Sequence, residues 1–223
     1  MKKGEKKRQQ KTLVRRTKRR EAQKTARSAV ASVPLLLIRQ ARRYPIEGCW
    51  TQKDWQESGL AVVVLARRQP DGLLIFGDYL VDHFCLGVKD CFVRPDVPPS
   101  RFYNEYLPKM IPGRVPLAIS ADMAHELIYG SIEYAAQFGF RPHPDFELAQ
   151  QVLDPPDQHP RSGAVTFGKD GKPFYISGPY DNVEAIMRQL LRTAGPNNFH
   201  YLAHIGPPPE DWFEPEDEGE DEA

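Results

Sequence analysis

Apolar positions are most concentrated in the middle of the chain, where three apolar runs follow one another. Residues 60–67 form a continuous run with three adjacent valines, which is typical of a buried β-strand. The turn sequence Gln-Pro-Asp-Gly at 69–72 precedes a second run at 73–82, and this order predicts an antiparallel hairpin. Gly87 then predicts a bend before a third strand at 88–93.

Apolar residues at helical spacing predict a long helix over residues 121–138. Ser120 is expected to cap its first turn, and Gly139 to end it. A second helix is expected to start after Asp181 or Asn182 and to run to Thr193. Shorter helices are predicted near 101–107 and 146–153.

The glycine-bounded segment 168–172 predicts a β-hairpin between strands at 164–167 and 173–176. Together the strands and helices predict an α+β fold, an antiparallel sheet with helices packed on one side. We expect a single domain over residues 44–206. A basic arm and linker at 1–43 would precede it, and an acidic tail at 207–223 would follow it.

The formal net charge of zero hides two oppositely charged ends. Residues 1–28 contain 13 Lys and Arg against two acidic residues, whereas residues 210–223 contain nine Asp and Glu and no Lys or Arg. Both ends have too few apolar residues to form a core, so the sequence predicts that they are disordered. The intervening part has an ordinary balance of 17 basic and 19 acidic residues.

The basic arm predicts binding to RNA or to a ribonucleoprotein, because clustered cations neutralise phosphates and no DNA-reading motif accompanies them. A solubilising arm without a dedicated partner is the alternative, and the acidic tail would compete with RNA for the arm. The residues expected to contact RNA are Lys6, Lys7, Arg8, Arg15, Arg16, Lys18, Arg19 and Arg20.

Cysteine usage and hydropathy predict a cytoplasmic protein. Cys49, Cys85 and Cys91 are odd in number and include no CxxC pair, which favours reduced thiols over a disulfide scaffold. The apolar run at 33–38 is far shorter than the roughly 20 residues that span a bilayer. We therefore expect no membrane association.

The candidate catalytic residues lie in the second apolar run and on the long helix. If Asp82-His83-Phe84-Cys85 continues the extended strand, His83 and Cys85 share one face and could act as base and thiol, or as two metal ligands. Two ligands do not make a metal site, and no recognisable spacing supplies the others. A packed strand is the plainer interpretation of the same residues. His125-Glu126 begins like the zinc-protease motif HExxH, but Tyr129 occupies the second His position, so no metal site is predicted.

Three segments resemble an uncharacterised bacterial protein family. They are LVDHFCLGVKD at Leu80–Asp90, YAAQFGFRPHPDF at Tyr134–Phe146 and FGKDGKPFYISGPYD at Phe167–Asp181. The resemblance extends over about residues 44–201 and implies one intact domain. Since no activity is established for that family, it implies neither a catalytic residue nor a cofactor.

Three hypotheses about function follow from the sequence. The first is an RNA-associated binding protein that uses the basic arm. The second is a hydrolase with Asp82, His83, Cys85 and His125 in one pocket. The third is an adaptor that recruits a protein partner through its sheet or its charged ends. The cofactor requirement is unknown at this stage.

Overall fold

The predicted antiparallel sheet is confirmed and has five strands. The computed structural model describes residues 34–111, 115–178 and 181–202, so the predictions for the basic arm and the acidic tail lie outside it. The strand order is β4-β3-β2-β1-β5, and every neighbouring pair is antiparallel. The strands are β1 (Ile46–Thr51), β2 (Leu60–Arg68), β3 (Leu74–Asp82), β4 (Gly87–Val97) and β5 (Leu117–Ile119).

The hairpin of β2 and β3 is the centre of the sheet, as the sequence predicts. The turn is closed by a hydrogen bond from the amide of Gly72 to the carbonyl of Gln69, while Asp71 accepts from the amide of Leu73. Both strands lie between covered faces, and this explains why their apolar residues form continuous runs rather than alternating ones.

Two helices lie on the first face of the sheet: α5 (Ala121–Gln137) and α6 (Phe146–Ala149). The predicted cap is confirmed, since the hydroxyl of Ser120 accepts from the amide of Met123 at 3.1 Å. The main core lies between these helices and the inward side chains of the strands, which include Val63, Leu65, Tyr79 and Val81.

Two further short elements complete the first face. Helix α1 (34–40) and the 3-10 turn Ala41–Arg43 precede β1, and Ile38 and Ala41 of this segment are buried. Helix α2 (Trp55–Ser58) connects β1 to β2. The segment 34–43, assigned to the linker by the sequence, is therefore in contact with the folded part.

The second face of the sheet also carries helical structure. Helix α3 (Pro99–Arg101), the π-helical turn Phe102–Tyr106 and helix α4 (Leu107–Met110) form one continuous segment. It packs on side chains that alternate with those of the main core: Val64, Ala66, Leu74 and Phe76. The α+β class is confirmed, but helices contact both faces rather than one, because the chain returns over the sheet after β4.

The predicted hairpin around residues 168–172 is wrong, although the tight turn between Lys169 and Lys172 is present. Strand β6 (Phe174–Ile176) pairs instead in parallel with β7 (His200–Leu202), across the intervening α7 (Val183–Thr193). The segments on either side of the turn bind the loop after β3 instead of each other. The amide of Gly168 donates to the carbonyl of His83, and the amide of Phe174 donates to the carbonyl of Phe84.

In the part of the chain that the structure describes, no helix combines the length and the apolar character needed to cross a bilayer.

Helix α7 packs Leu190 into a small third core with Cys85, Leu86 and Tyr175. This core closes the end of the sheet at the turn between β3 and β4.

The guanidinium group of Arg67 in β2 connects the sheet to three other segments. Its side chain is 3% exposed, its Nε donates to the carbonyl of Val152 at 2.6 Å, and its Nη1 donates to that of Tyr44 at 2.7 Å. Its Nη2 lies 2.6 Å from Oδ1 of Asp154. A buried charge requires such partners, so Arg67 determines where these segments lie.

We expect Arg67→Ala to destabilise the fold by about 3–5 kcal/mol, because the carbonyls of Tyr44 and Val152 and the carboxylate of Asp154 all lose a buried donor. Arg68→Ala is the matched control, since the neighbouring Arg68 is 40% exposed and pairs with Glu47 at the surface. Exposed pairs contribute little, so the control should be close to wild type. Urea denaturation measures both, and equal losses for the two variants would contradict the role of Arg67.

Asp78 is an acidic residue on the second face of the sheet. It lies opposite Val64 of β2 and Phe92 of β4, and its Oδ1 accepts no hydrogen bond from the described residues. Burial, and then the nearby charge of Asp90, raise the pKa of Asp78 to about 7. Ionisation of this carboxyl group therefore opposes folding.

We expect Asp78→Asn to stabilise the protein at pH 8 by up to about 4 kcal/mol, since the pKa of the folded state is about three units above the unfolded value and each unit corresponds to about 1.4 kcal/mol. An unfolded Asp ionises near pH 3.9, so the gain should be absent at pH 4 and develop between about pH 4 and 7. Urea denaturation across this range tests it. The exposed loop variant Asp157→Asn controls for the lost charge, and a difference independent of pH would contradict the assignment.

Candidate functional site

Two histidines and one aspartate lie close together in the described residues. We call His125, Asp154 and His159 the His–Asp cluster. His125 lies on the buried side of α5, and the other two lie on the loop 150–163 that follows α6. One donor atom from each residue lies within 4.8 Å of the other two.

His125 is held as a neutral imidazole. Its Nδ1 lies 2.7 Å from the carbonyl of Ala121, so Nδ1 carries the proton and donates it. Its Nε2 then accepts from the amide of Asp154 at 2.9 Å. Burial is the main cause that lowers the pKa of His125 to about 4, which agrees with this neutral state.

His159 lies between two carboxylates. Its Nδ1 is 2.7 Å from Oδ1 of Asp122, and its Nε2 is 3.1 Å from Oδ2 of Asp154. Burial acts to lower the pKa of His159, but the two acidic partners outweigh it and the pKa is raised. The ring stacks on that of His125 with 3.8 Å between centroids.

Asp154 uses all its polar groups to connect the cluster. Its carboxylate binds Arg67 and His159, its amide donates to His125, and its carbonyl accepts from the hydroxyl of Tyr129 at 3.2 Å. Burial acts to raise the pKa of Asp154, but His159 and Arg67 outweigh it and keep the carboxyl ionised. The residue thus fixes the loop to both the sheet and α5.

Glu126 fixes the far end of the same loop. Its carboxylate accepts from the hydroxyl of Ser162 at 2.6 Å and from the amides of Ser162 and Gly163, both at 2.9 Å. Burial acts to raise the pKa of Glu126, but these hydrogen bonds outweigh it and the pKa is lowered. The His125-Glu126 pair therefore contributes one member to the cluster and one to the loop.

The segment 82–85 is a turn and not the extended strand that the sequence suggested. Strand β3 ends at Asp82, whose Oδ1 accepts from the amides of Phe84 at 3.0 Å and Cys85 at 2.9 Å. The inference that His83 and Cys85 share one strand face is therefore wrong. Burial raises the pKa of Asp82 to about 7, although these amides and Lys89 act in the opposite direction.

His83 and Cys85 have partners of different kinds. The ring nitrogens of His83 lie 3.0 Å from the carbonyl of Trp55 and 3.1 Å from that of Thr166, so this ring links α2 to the later loop. Cys85 packs in the third core, and burial raises the pKa of its thiol far above the usual range. A thiol of this kind is a poor nucleophile.

Of the four residues predicted to be catalytic, only His125 belongs to the His–Asp cluster. Asp82 binds amides of the turn after β3. His83 contacts the carbonyl of Trp55 in α2, and Cys85 packs in the third core. The proposed hydrolase site stays a prediction. The eight residues predicted to contact RNA, Lys6 to Arg20, lie outside the described residues.

Comparison of the chain with protein-family models, with curated proteins and with solved structures finds no match. This outcome agrees with the resemblance to a family without an established function.

We expect Glu126→Gln to loosen the loop 154–163, because charge-assisted hydrogen bonds to Ser162 and Gly163 become weaker neutral ones. Hydrogen exchange of peptides covering 155–165 should accelerate about tenfold, which corresponds to about 1.4 kcal/mol. Glu133→Gln is the matched control, since Glu133 lies on the same helix and binds Arg161 of the same loop at the surface. Equal acceleration in the two variants would contradict the anchoring role of Glu126.

Proposed function

We propose that the protein binds RNA or a ribonucleoprotein in the cytoplasm through its basic arm, residues 1–28. The observation that carries this proposal is the density of charge, 13 cationic residues against two acidic ones. Such a segment attracts any polyanion, and releasing the counterions of the phosphates drives the association. We favour single-stranded RNA as the partner, because a protein can bind it without an element that reads a duplex groove.

The folded part supports the assignment of binding to the arm, because several of its cations have internal partners. Arg67 is buried in its ion pair, and Lys89 lies 2.9 Å from Asp181. Arg42 donates to the carbonyls of Leu153 and Gln150. With 17 basic and 19 acidic residues in 29–209, this part offers no net attraction to a polyanion.

Helix α1 provides the attachment point of the arm. Ile38 and Ala41 are buried, and the two hydrogen bonds of Arg42 hold the following turn on the loop after α6. Residues 34–43 are therefore held in place on the folded part. An acidic tail with nine carboxylates competes for the same cations when RNA is absent, which would reduce non-specific binding.

We expect the full-length protein to bind a single-stranded 20-nucleotide RNA, measured by fluorescence anisotropy. If six cations meet phosphates, the logarithm of the affinity falls against the logarithm of salt with a slope of roughly −4 to −5. Glutamine at five arm positions should weaken binding at least tenfold and flatten the slope. These positions are Arg15, Arg16, Lys18, Arg19 and Arg20.

The matched control places glutamine at five exposed cations of the folded part, which removes the same charge. They are Lys53, Lys109, Arg141, Arg188 and Arg192. This variant should bind RNA as the wild type does. Equal weakening by the two sets would assign binding to the folded part, and no RNA binding at low salt would reject the proposal. A stoichiometric protein partner retained after nuclease treatment would favour the adaptor hypothesis.

A further inference from the structure

We infer that the His–Asp cluster is a binding site for a divalent transition-metal ion of the zinc class, with His125, Asp154 and His159 as its protein ligands. The donors are two imidazole nitrogens and one carboxylate oxygen, all within 4.8 Å of one another. This inference is independent of the RNA proposal, since it rests on residues of the folded part.

In each ligand, the atom that would face away from the metal already has the partner typical of metal ligands. The Nδ1 of His125 donates to the carbonyl of Ala121, and that of His159 faces the carboxylate of Asp122. A histidine that binds a metal usually donates its second N–H to such a carbonyl or carboxylate, which fixes the tautomer.

The carboxylate of Asp154 also has a partner on the oxygen that would face away from the metal. Arg67 engages Oδ1 of Asp154 and leaves Oδ2 directed toward His159. The remaining donors are therefore the two Nε2 atoms and this Oδ2. Three donors whose other atoms are each held by a different group make an oriented site and not only a chance grouping of polar side chains.

Binding requires a limited closure of the cluster. Zinc lies about 2.0–2.2 Å from nitrogen and oxygen ligands, so donors in a tetrahedral site are separated by about 3.3 Å. His159 has to turn out of its stack on His125 and release to solvent the Nε2 proton that faces Oδ2 of Asp154. Nε2 of His125 has to exchange the amide of Asp154 for the metal. Asp154 and His159 lie on a loop without helix or strand, whereas α5 holds His125 in place.

The donor set selects the class of metal. Imidazole nitrogens with one carboxylate suit zinc, cobalt and nickel, while calcium and magnesium favour oxygen ligands throughout. Three protein ligands also leave one position of a tetrahedral ion open to water, as in catalytic zinc sites. Both Asp154 and His159 are partly exposed, which gives an ion a path from solvent.

The test uses the full-length, untagged chain after removal of metals. Titration with Zn²⁺, followed by calorimetry, should show one ion per chain, and excess Mg²⁺ or Ca²⁺ should not compete. Substitution by Co²⁺ should give visible d–d absorption without a thiolate charge-transfer band, which distinguishes this site from binding by Cys49, Cys85 or Cys91.

His159→Gln removes a ligand at a partly exposed position and should abolish the Co²⁺ spectrum. His143→Gln is the matched control, because His143 also faces a carboxylate, that of Asp145, but lies outside the cluster. Asp122→Asn keeps all three ligands and should weaken zinc binding by about 10–100-fold, as expected for loss of an outer partner.

Urea denaturation of the metal-free variants shows that each is folded before its affinity is compared. Zinc binding that survives His159→Gln, or that His143→Gln weakens equally, would overturn the assignment. Failure of Zn²⁺ to bind the wild-type chain would overturn it as well, and the cluster would then act only as an ion network that stabilises the loop.

Discussion

The buried charge of Arg67 is the constraint on which the rest of the structure depends. A guanidinium group on the covered face of a sheet is unfavourable unless its donors find acceptors. Arg67 finds them in the carbonyls of Tyr44 and Val152 and in the carboxylate of Asp154. The start of β1 and the loop after α6 therefore take their positions from one side chain of β2. Asp154, once fixed in this way, places the two histidines of the cluster beside each other.

The features of the fold that the sequence predicts correctly are those encoded by neighbouring residues. The turn at 69–72 and the cap at Ser120 each depend on a few adjacent side chains, and both are present. The parallel pairing of β6 with β7 depends on segments more than 20 residues apart. Local periodicity carries no information about such pairings, so the sequence predicts a hairpin where only the tight turn at 168–172 is present.

The candidate site also depends on residues that are far apart in the sequence. His125 is a candidate from the sequence because it begins an incomplete HExxH motif. Asp154 and His159 lie in a loop 29 and 34 residues further along the chain and belong to no motif that the sequence analysis identifies. A usable signal existed: a histidine on the core side of a helix needs a polar partner. The sequence could not say which of the later polar residues supplies it. Asp82, by contrast, ends its strand by binding two amides of the following turn, a local competition with strand geometry.

The attachment of the arm and the His–Asp cluster meet at one short stretch of chain. Arg42, just after α1, donates to the carbonyls of Gln150 and Leu153, and the residue that follows Leu153 is Asp154. Interiors are closely packed, so a displacement of Asp154 is transmitted to its bonded neighbour and to the groups that neighbour holds. The His–Asp cluster and residues 34–43 therefore share one packed contact, through the backbone of Leu153 and Asp154. Two ligands bound at positions linked in this way are coupled only as far as each of them binds alternative positions of the loop with different affinity.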